Sequence, residues 1–262
     1  MTIVESVVDE FAEAVDGLQI MIVGAQCRNM LAERHGHEPP DRETKDIDMA
    51  VAVQSWDVFD QLRRQFAPPN APWQKMEVNG LPIDVVPFGD VENPPGYVIP
   101  DGGEFELSVF GYQQVFADAT VLHTPAGHEY RLPSVRGLGL MKVNALLERY
   151  HNGEYKDAVD LATVVWWYFD DMVPYQDKYF NLLSDKEWTR DPQGIAAVVL
   201  GIEIQELLGS DAPRLHRRIY ELGEDDRELL YQKFTRSIAT PDMVETRFAV
   251  FDGLFYGLTR AL

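Results

Sequence analysis

A single cysteine, Cys27, leaves the chain unable to close an internal disulfide, which fits a reducing compartment. Long apolar runs are missing too. No stretch approaches the roughly 18 uninterrupted apolar residues that a membrane helix needs, so no spanning segment is expected. The opening MTIVESVVDEFAEAV is acidic and amphipathic, without the basic-then-apolar order of a signal peptide. Positive charge is scarce: 23 Lys and Arg stand against 43 Asp and Glu, for a formal net charge of -20. So acidic a chain lacks the basic face of a general nucleic-acid binder and repels polyanions over most of its surface. Binding of RNA through a local basic patch, a cationic substrate, a metal, or solubility alone all stay open. With 45% hydrophobic and 25% charged residues, the 262-residue chain is ordinary globular protein, long enough for one or two domains. A soluble cytoplasmic protein is the expectation.

Periodicity predicts a helix over 3–16, then a short buried strand at 18–24 (LQIMIVG) that turns at Gly24-Ala25 into a helix over 26–33. Residues 35–44 read as a loop. A strand follows over 46–53 (DIDMAVAV), with Ser55 as N-cap of a helix over 56–66. Asn79-Gly80 is a strong hairpin signal, with 81–87 as the outgoing strand. A Gly- and Pro-rich loop over 89–103 precedes strands at 104–109, 119–123 and 128–132. After Pro133 the pattern becomes helical, with Ser134 capping a helix to about 150, another over 155–170, and four or so amphipathic helices over 176–260. There is no internal repeat and no low-complexity segment. The expected fold is α+β: an α/β half with a mixed sheet (1–133), then a helical half (134–262), packed together with a cleft between them.

Chemistry concentrates in the first half. Asp46 and Asp48 are two apart on a strand and project to one face while Ile47 goes to the core. Carboxylates that close repel unless a cation or a shared proton intervenes. Asp84 lies in its own apolar strand, PIDVV, where an unpaired buried acid is costly, so it must face water, a partner or a metal. Three hard oxygen ligands on neighbouring strands suit Mg²⁺. The Gly24-Ala25 turn lets a ligand approach the backbone, and the helix after it offers N–H groups to an anion.

Taken together, VGAQCRNML (23–31), RETKDIDMAV (42–51), PIDVVPFG (82–89), LMKVNALLER (140–149) and YKDAVDL (155–161) resemble the AbiEii/AbiGii-type nucleotidyltransferase toxins of the polymerase-β-like superfamily. The likeness spans residues 18–165. One departure stands out: the family usually carries Gly-Ser or Gly-Gly where this chain has Gly24-Ala25, which leaves only backbone donors for a phosphate.

The resemblance implies transfer of an NMP from an NTP to an acceptor hydroxyl with loss of pyrophosphate. Asp46, Asp48 and Asp84 would bind Mg²⁺, two ions when NTP is present, and Asp84 would help activate the acceptor. Lys142 would contact the triphosphate, and Asp157 or Asp160 would complete the site. Gly24, Ala25, Arg28 and Thr44 are the further nucleotide-binding candidates. The implied acceptor is the 3′ end of a tRNA, and the implied partner is an antitoxin protein.

Each candidate also has a plainer reading. Lys142 fits a solvated helix lysine, Asp157 and Asp160 an exposed acidic helix start, and Arg28 a surface arginine. His35-Gly36-His37 beside Glu33 and Glu38 looks like a metal cluster, yet loop histidines are usually solvated. Trp166, Trp167 and Tyr168 fit packing at the joint between halves, with base stacking as the rival. Arg214, His216, Arg217 and Arg218 form the densest basic cluster of the helical half, either a solvated face or an RNA contact. Arg28, Arg42 and Lys45 are the basic residues near the carboxylates. Rival functions are transfer to a small cationic molecule such as an antibiotic, and a non-catalytic nucleotide-binding relative.

Overall fold

A computed structural model describes residues 2–39, 46–100, 106–179, 191–235 and 242–260. The chain is α+β and divides into two compact units, Met1–Ser134 and Val135–Leu262.

In the first unit, helix α1 (Ile3–Ala14) opens with a capping box. Thr2 Oγ1 accepts from the Glu5 N–H at 3.2 Å, and the Thr2 N–H donates to Glu5 Oε2 at 2.6 Å. Strand β1 (Gln19–Ile22) leads into α2 (Gly24–His35), which starts two residues earlier and ends two residues later than the apolar pattern predicts. Next come β2 (Ile47–Val53) and α3 (Trp56–Phe66). Ser55 has extended N-cap backbone, but its side chain makes no cap hydrogen bond.

The expected hairpin is β3 (Lys75–Val78) and β4 (Leu81–Gly89). Asn79 and Gly80 take φ +53° and +80°, the left-handed pair that a two-residue turn of this kind requires. The stretch read as a continuous loop over 89–103 contains a short strand, β5 (Tyr97–Val98), paired with β6 (Leu107–Ser108). An unforeseen helix, α4 (Tyr112–Asp118), follows; it packs on β4, where Tyr112 and Phe116 meet the buried Phe88 ring edge-on or tilted. Strands β7 (Thr120–His123) and β8 (Glu129–Leu132) close the unit.

Six strands form one mixed sheet in the order β3-β4-β2-β1-β8-β7. β2 and β4 run parallel, as do β1 and β8, and the other neighbours are antiparallel. On β2 the residues Ile47, Met49, Val51 and Val53 are all buried, so one side of the strand is committed to the core. Asp48, on the opposite side, is not.

The second unit is helical: α5 (Val135–Arg149), α6 (Lys156–Asp170), α7 (Pro192–Leu208), α8 (Ala212–Tyr220), α9 (Glu224–Thr235) and α10 (Asp242–Thr259). Here α7 departs from the amphipathic reading. It is buried on nearly every side, because α5, α6 and α10 all pack on it. Its contact with α10 is made by glycines: a Cβ on Gly201 would lie 2.6 Å from Gly257 C, and one on Gly257 would lie 2.3 Å from Val198 O. Helix backbones approach this closely only where side chains are absent.

Candidate active site

Asp46 lies one residue ahead of β2, and Asp48 lies within it. The parallel register of β2 and β4 sets Asp48 opposite Asp84 and Ile47 opposite Ile83. Paired residues of neighbouring strands project to the same side, so Asp48 and Asp84 belong to one face of the sheet. The structure brings together the three acids singled out in the sequence.

A fourth residue joins them. The hairpin register places Lys75 opposite Asp84. Its ammonium donates to Asp84 Oδ2 at 2.7 Å, lies 2.6 Å from Asp84 Oδ1, and reaches within 3.8 Å of Asp46 Oδ2. The hydrogen bond to Asp84 holds the Lys75 pKa above its ordinary value against the opposing effect of burial, and the charges of Asp84, Asp46 and Asp48 reinforce it. Lys75 was not among the sequence candidates, although the signal existed: a two-residue Asn-Gly turn pairs 78 with 81 and therefore 75 with 84.

The glycine turn is part of the same site. Gly24 has φ +62°, and a Cβ there would fall 2.0 Å from Asp48 Oδ2. The Val23 N–H donates to the Asp48 carbonyl at 3.1 Å, fixing the turn to the strand. The Asp48 carboxylate therefore packs against the first residue of α2, at the positive end of the helix dipole, where negative charge is favoured. The turn expected to cradle a phosphate already has this carboxylate against it.

Do these residues fit Mg²⁺? Among the described residues, no group of three or more His, Cys, Asp or Glu side chains is arranged to hold a metal ion as it stands. Instead the Lys75 ammonium lies between Asp84 and Asp46. In charge and donor type the set does fit: three carboxylates against one ammonium leave two formal negative charges, and every donor is a hard oxygen. The fit requires Lys75 to move.

Arg28 is fully buried, contrary to the surface reading, and donates to Asn29 Oδ1 through Nε at 3.2 Å and Nη2 at 2.9 Å. Cys27 is buried in the core. His35 ends α2, and Gly36 caps it in the left-handed conformation. Arg42, Thr44 and Lys45 lie outside the described residues.

In the second unit Lys142, Asp157 and Asp160 come together, and the exposed readings of all three are overturned. Lys142 Nζ lies 2.7 Å from Asp160 Oδ2 and 3.3 Å from Asp157 Oδ1, while Arg149 Nη2 reaches Asp157 Oδ2 at 2.6 Å. Asp160 is 1% exposed and Asp157 4%. The cause is α5 packing against α6, which brings the basic residues of one helix onto the acidic start of the other.

Three residues of the helical unit's basic cluster have partners within the unit, while Arg217 is exposed. Arg218 donates to Asn144 Oδ1 at 2.7 Å and Glu148 Oε1 at 2.8 Å, Arg214 pairs with Asp211 at 3.4 Å, and His216 Nε2 lies 2.6 Å from Gln205 Oε1. Trp167 and Tyr168 are buried, whereas Trp166 is exposed.

A second carboxylate centre, unmarked in the sequence, sits on α7. Glu203 accepts from Tyr168 at 2.5 Å, from Lys178 at 2.9 Å and from Tyr179. Burial pushes its pKa up, but these hydrogen bonds outweigh that and hold it below the usual carboxylate value. Burial, reinforced by Glu203, drives both tyrosines far above their ordinary range. This centre pins the 173–179 segment to α7.

Compared with family models and with curated proteins, the chain matches none.

Proposed function

We propose that the chain is a Mg²⁺-dependent nucleotidyltransferase that moves an NMP from an NTP to an acceptor hydroxyl. The observation that carries this reading is the register setting Asp48 opposite Asp84, with Asp46 one residue ahead of β2 and the Gly24 turn against Asp48. Asp46, Asp48 and Asp84 would hold Mg²⁺, which when bound supplies positive charge to the triphosphate and to the entering and leaving oxygens.

The chain's own part is positional. The Gly24-Ala25 turn presents backbone at the mouth of α2, where a phosphate gains from the helix dipole. The acceptor oxygen attacks the α-phosphorus, the bond from that phosphorus to the bridging oxygen breaks, and pyrophosphate leaves. The hydroxyl proton passes to an oxygen of Asp84. Lys142, which the family resemblance assigns to the triphosphate, is paired with Asp160 at 2.7 Å.

That resemblance points to a toxin of a toxin–antitoxin or phage-defence system, a tRNA 3′ end as acceptor, and an antitoxin protein as partner. A small cationic acceptor is the second reading. The net charge of -20 favours it, and Arg214 and Arg218 are engaged with Asp211 and Glu148.

Incubation with each of the four α-labelled NTPs, Mg²⁺ and total tRNA tests the proposal. Label on tRNA supports the first acceptor, and label on an aminoglycoside added in its place supports the second. No transfer with any NTP to either acceptor, or to the protein itself, speaks for a non-catalytic relative.

A further inference from the structure

We infer that Lys75 is an internal cation that holds the place of a divalent ion among Asp46, Asp48 and Asp84, so that metal enters only as its ammonium leaves Asp84. The inference rests on the nucleotidyltransferase reading, which makes these carboxylates metal ligands.

The geometry makes the two cations competitors. Both Asp84 oxygens lie within 2.7 Å of Lys75 Nζ, and Asp46 Oδ2 lies 3.8 Å away. A divalent ion needs carboxylate oxygens at about 2.1 Å, and both Asp84 oxygens already face the ammonium. Two cations on one carboxylate repel at that range, so one must withdraw. Lys75 is built to do so. It stands on β3, an edge strand of the sheet, with its side chain 39% exposed, on a flexible four-carbon stem. Its ammonium can swing into water while the β3–β4 backbone pairing stays intact.

Two consequences follow. Without metal, the Lys75 ammonium bridges Asp84 and Asp46, so the site stays assembled. With metal, binding must overcome the ammonium, so affinity in the absence of nucleotide is weaker than three carboxylates alone would give.

Calorimetric titration of Mn²⁺ into the full chain, without nucleotide, tests this on wild type, Lys75→Met, Lys75→Arg and Asp48→Asn. Lys75→Met is expected to bind Mn²⁺ about tenfold tighter than wild type. Lys75→Arg, which keeps the charge, should stay within about threefold of wild type. Lys75→Met should also melt at a lower temperature in EDTA and gain more from added Mn²⁺. Lys75→Gln replaces the Met variant if circular dichroism shows that one unfolded. Equal or weaker Mn²⁺ binding by a folded neutral variant, with binding lost in Asp48→Asn, overturns the role of Lys75 and leaves the metal site standing. Absence of Mn²⁺ binding in every variant overturns the metal-site reading and this inference with it.

Discussion

A Cβ placed on Gly24 would sit 2.0 Å from Oδ2 of Asp48, so the turn that opens α2 and the carboxylate of β2 are one surface. Gly24→Ala is therefore expected to force the Asp48 side chain away and to strain a backbone held at φ +62°, costing roughly 1–3 kcal/mol. Urea unfolding of Gly24→Ala, Asp48→Ala and the double variant checks this. The costs should fall short of additive, because removing the Asp48 carboxylate relieves the closest part of the collision and leaves only the Asp48 Cβ, 2.7 Å away. Strict additivity would separate the two residues.

Lys142 is expected to matter for folding as well as for chemistry. Replacing it with Ala removes the ammonium beside Asp160, which is only 1% exposed, and such a change in a buried ion pair costs roughly 3 kcal/mol or more. Thermal unfolding should show a clear loss in Lys142→Ala. A variant as stable as wild type would mean that this pair is not formed in solution.

The α7–α10 contact predicts a sharp contrast between glycines. Gly257→Ala drives a methyl to 2.3 Å from a backbone carbonyl and should cost about 1–3 kcal/mol, since neither helix can yield locally. Gly153→Ala meets nothing within 4 Å and should change stability by no more than about 0.5 kcal/mol. Denaturant midpoints of the two variants would test the pairing of these helices.

Much of this was open to reading in the sequence. The Asn79-Gly80 turn fixed its hairpin, and the alternation of DIDMAVAV placed Asp48 opposite the buried side of β2. The parallel pairing of β2 with β4 was not legible, because the partners of a parallel strand depend on crossovers and on no local pattern. Lys75 was recoverable only by carrying the hairpin register four pairs back from the turn. Helix α4, seven residues between two stretches read as strands, is too short to show a period, and α7 has no polar side to give away its burial. The ion pairs of Lys142 needed the packing of α5 on α6, which spacing alone does not supply.

Acid should weaken the first unit through Asp9. Thr124 Oγ1 donates to Asp9 Oδ1 at 2.5 Å, and His128 Nδ1 lies 2.8 Å from the same oxygen. The Thr124 hydrogen bond, helped by His128 and opposed by burial, holds the Asp9 pKa below its ordinary 3.8. A depressed folded-state value means that the unfolded chain takes up the proton first. The stabilisation is complete above the unfolded value near pH 4 and is lost as pH falls through the lower folded value. Stability measured from pH 5 down to pH 2 should fall less steeply in Asp9→Asn than in wild type; identical slopes would remove Asp9 from the account.

The central claim is that Asp46, Asp48 and Asp84 form one metal site facing the α2 turn. Anomalous diffraction from crystals grown with Mn²⁺ and a non-hydrolysable NTP analogue tests it most directly. The account predicts a Mn²⁺ peak about 2.1 Å from carboxylate oxygens of these aspartates, with phosphates toward Gly24-Ala25 and the Lys75 ammonium withdrawn from Asp84. Mn²⁺ and nucleotide bound elsewhere, with Lys75 still on Asp84, would contradict it.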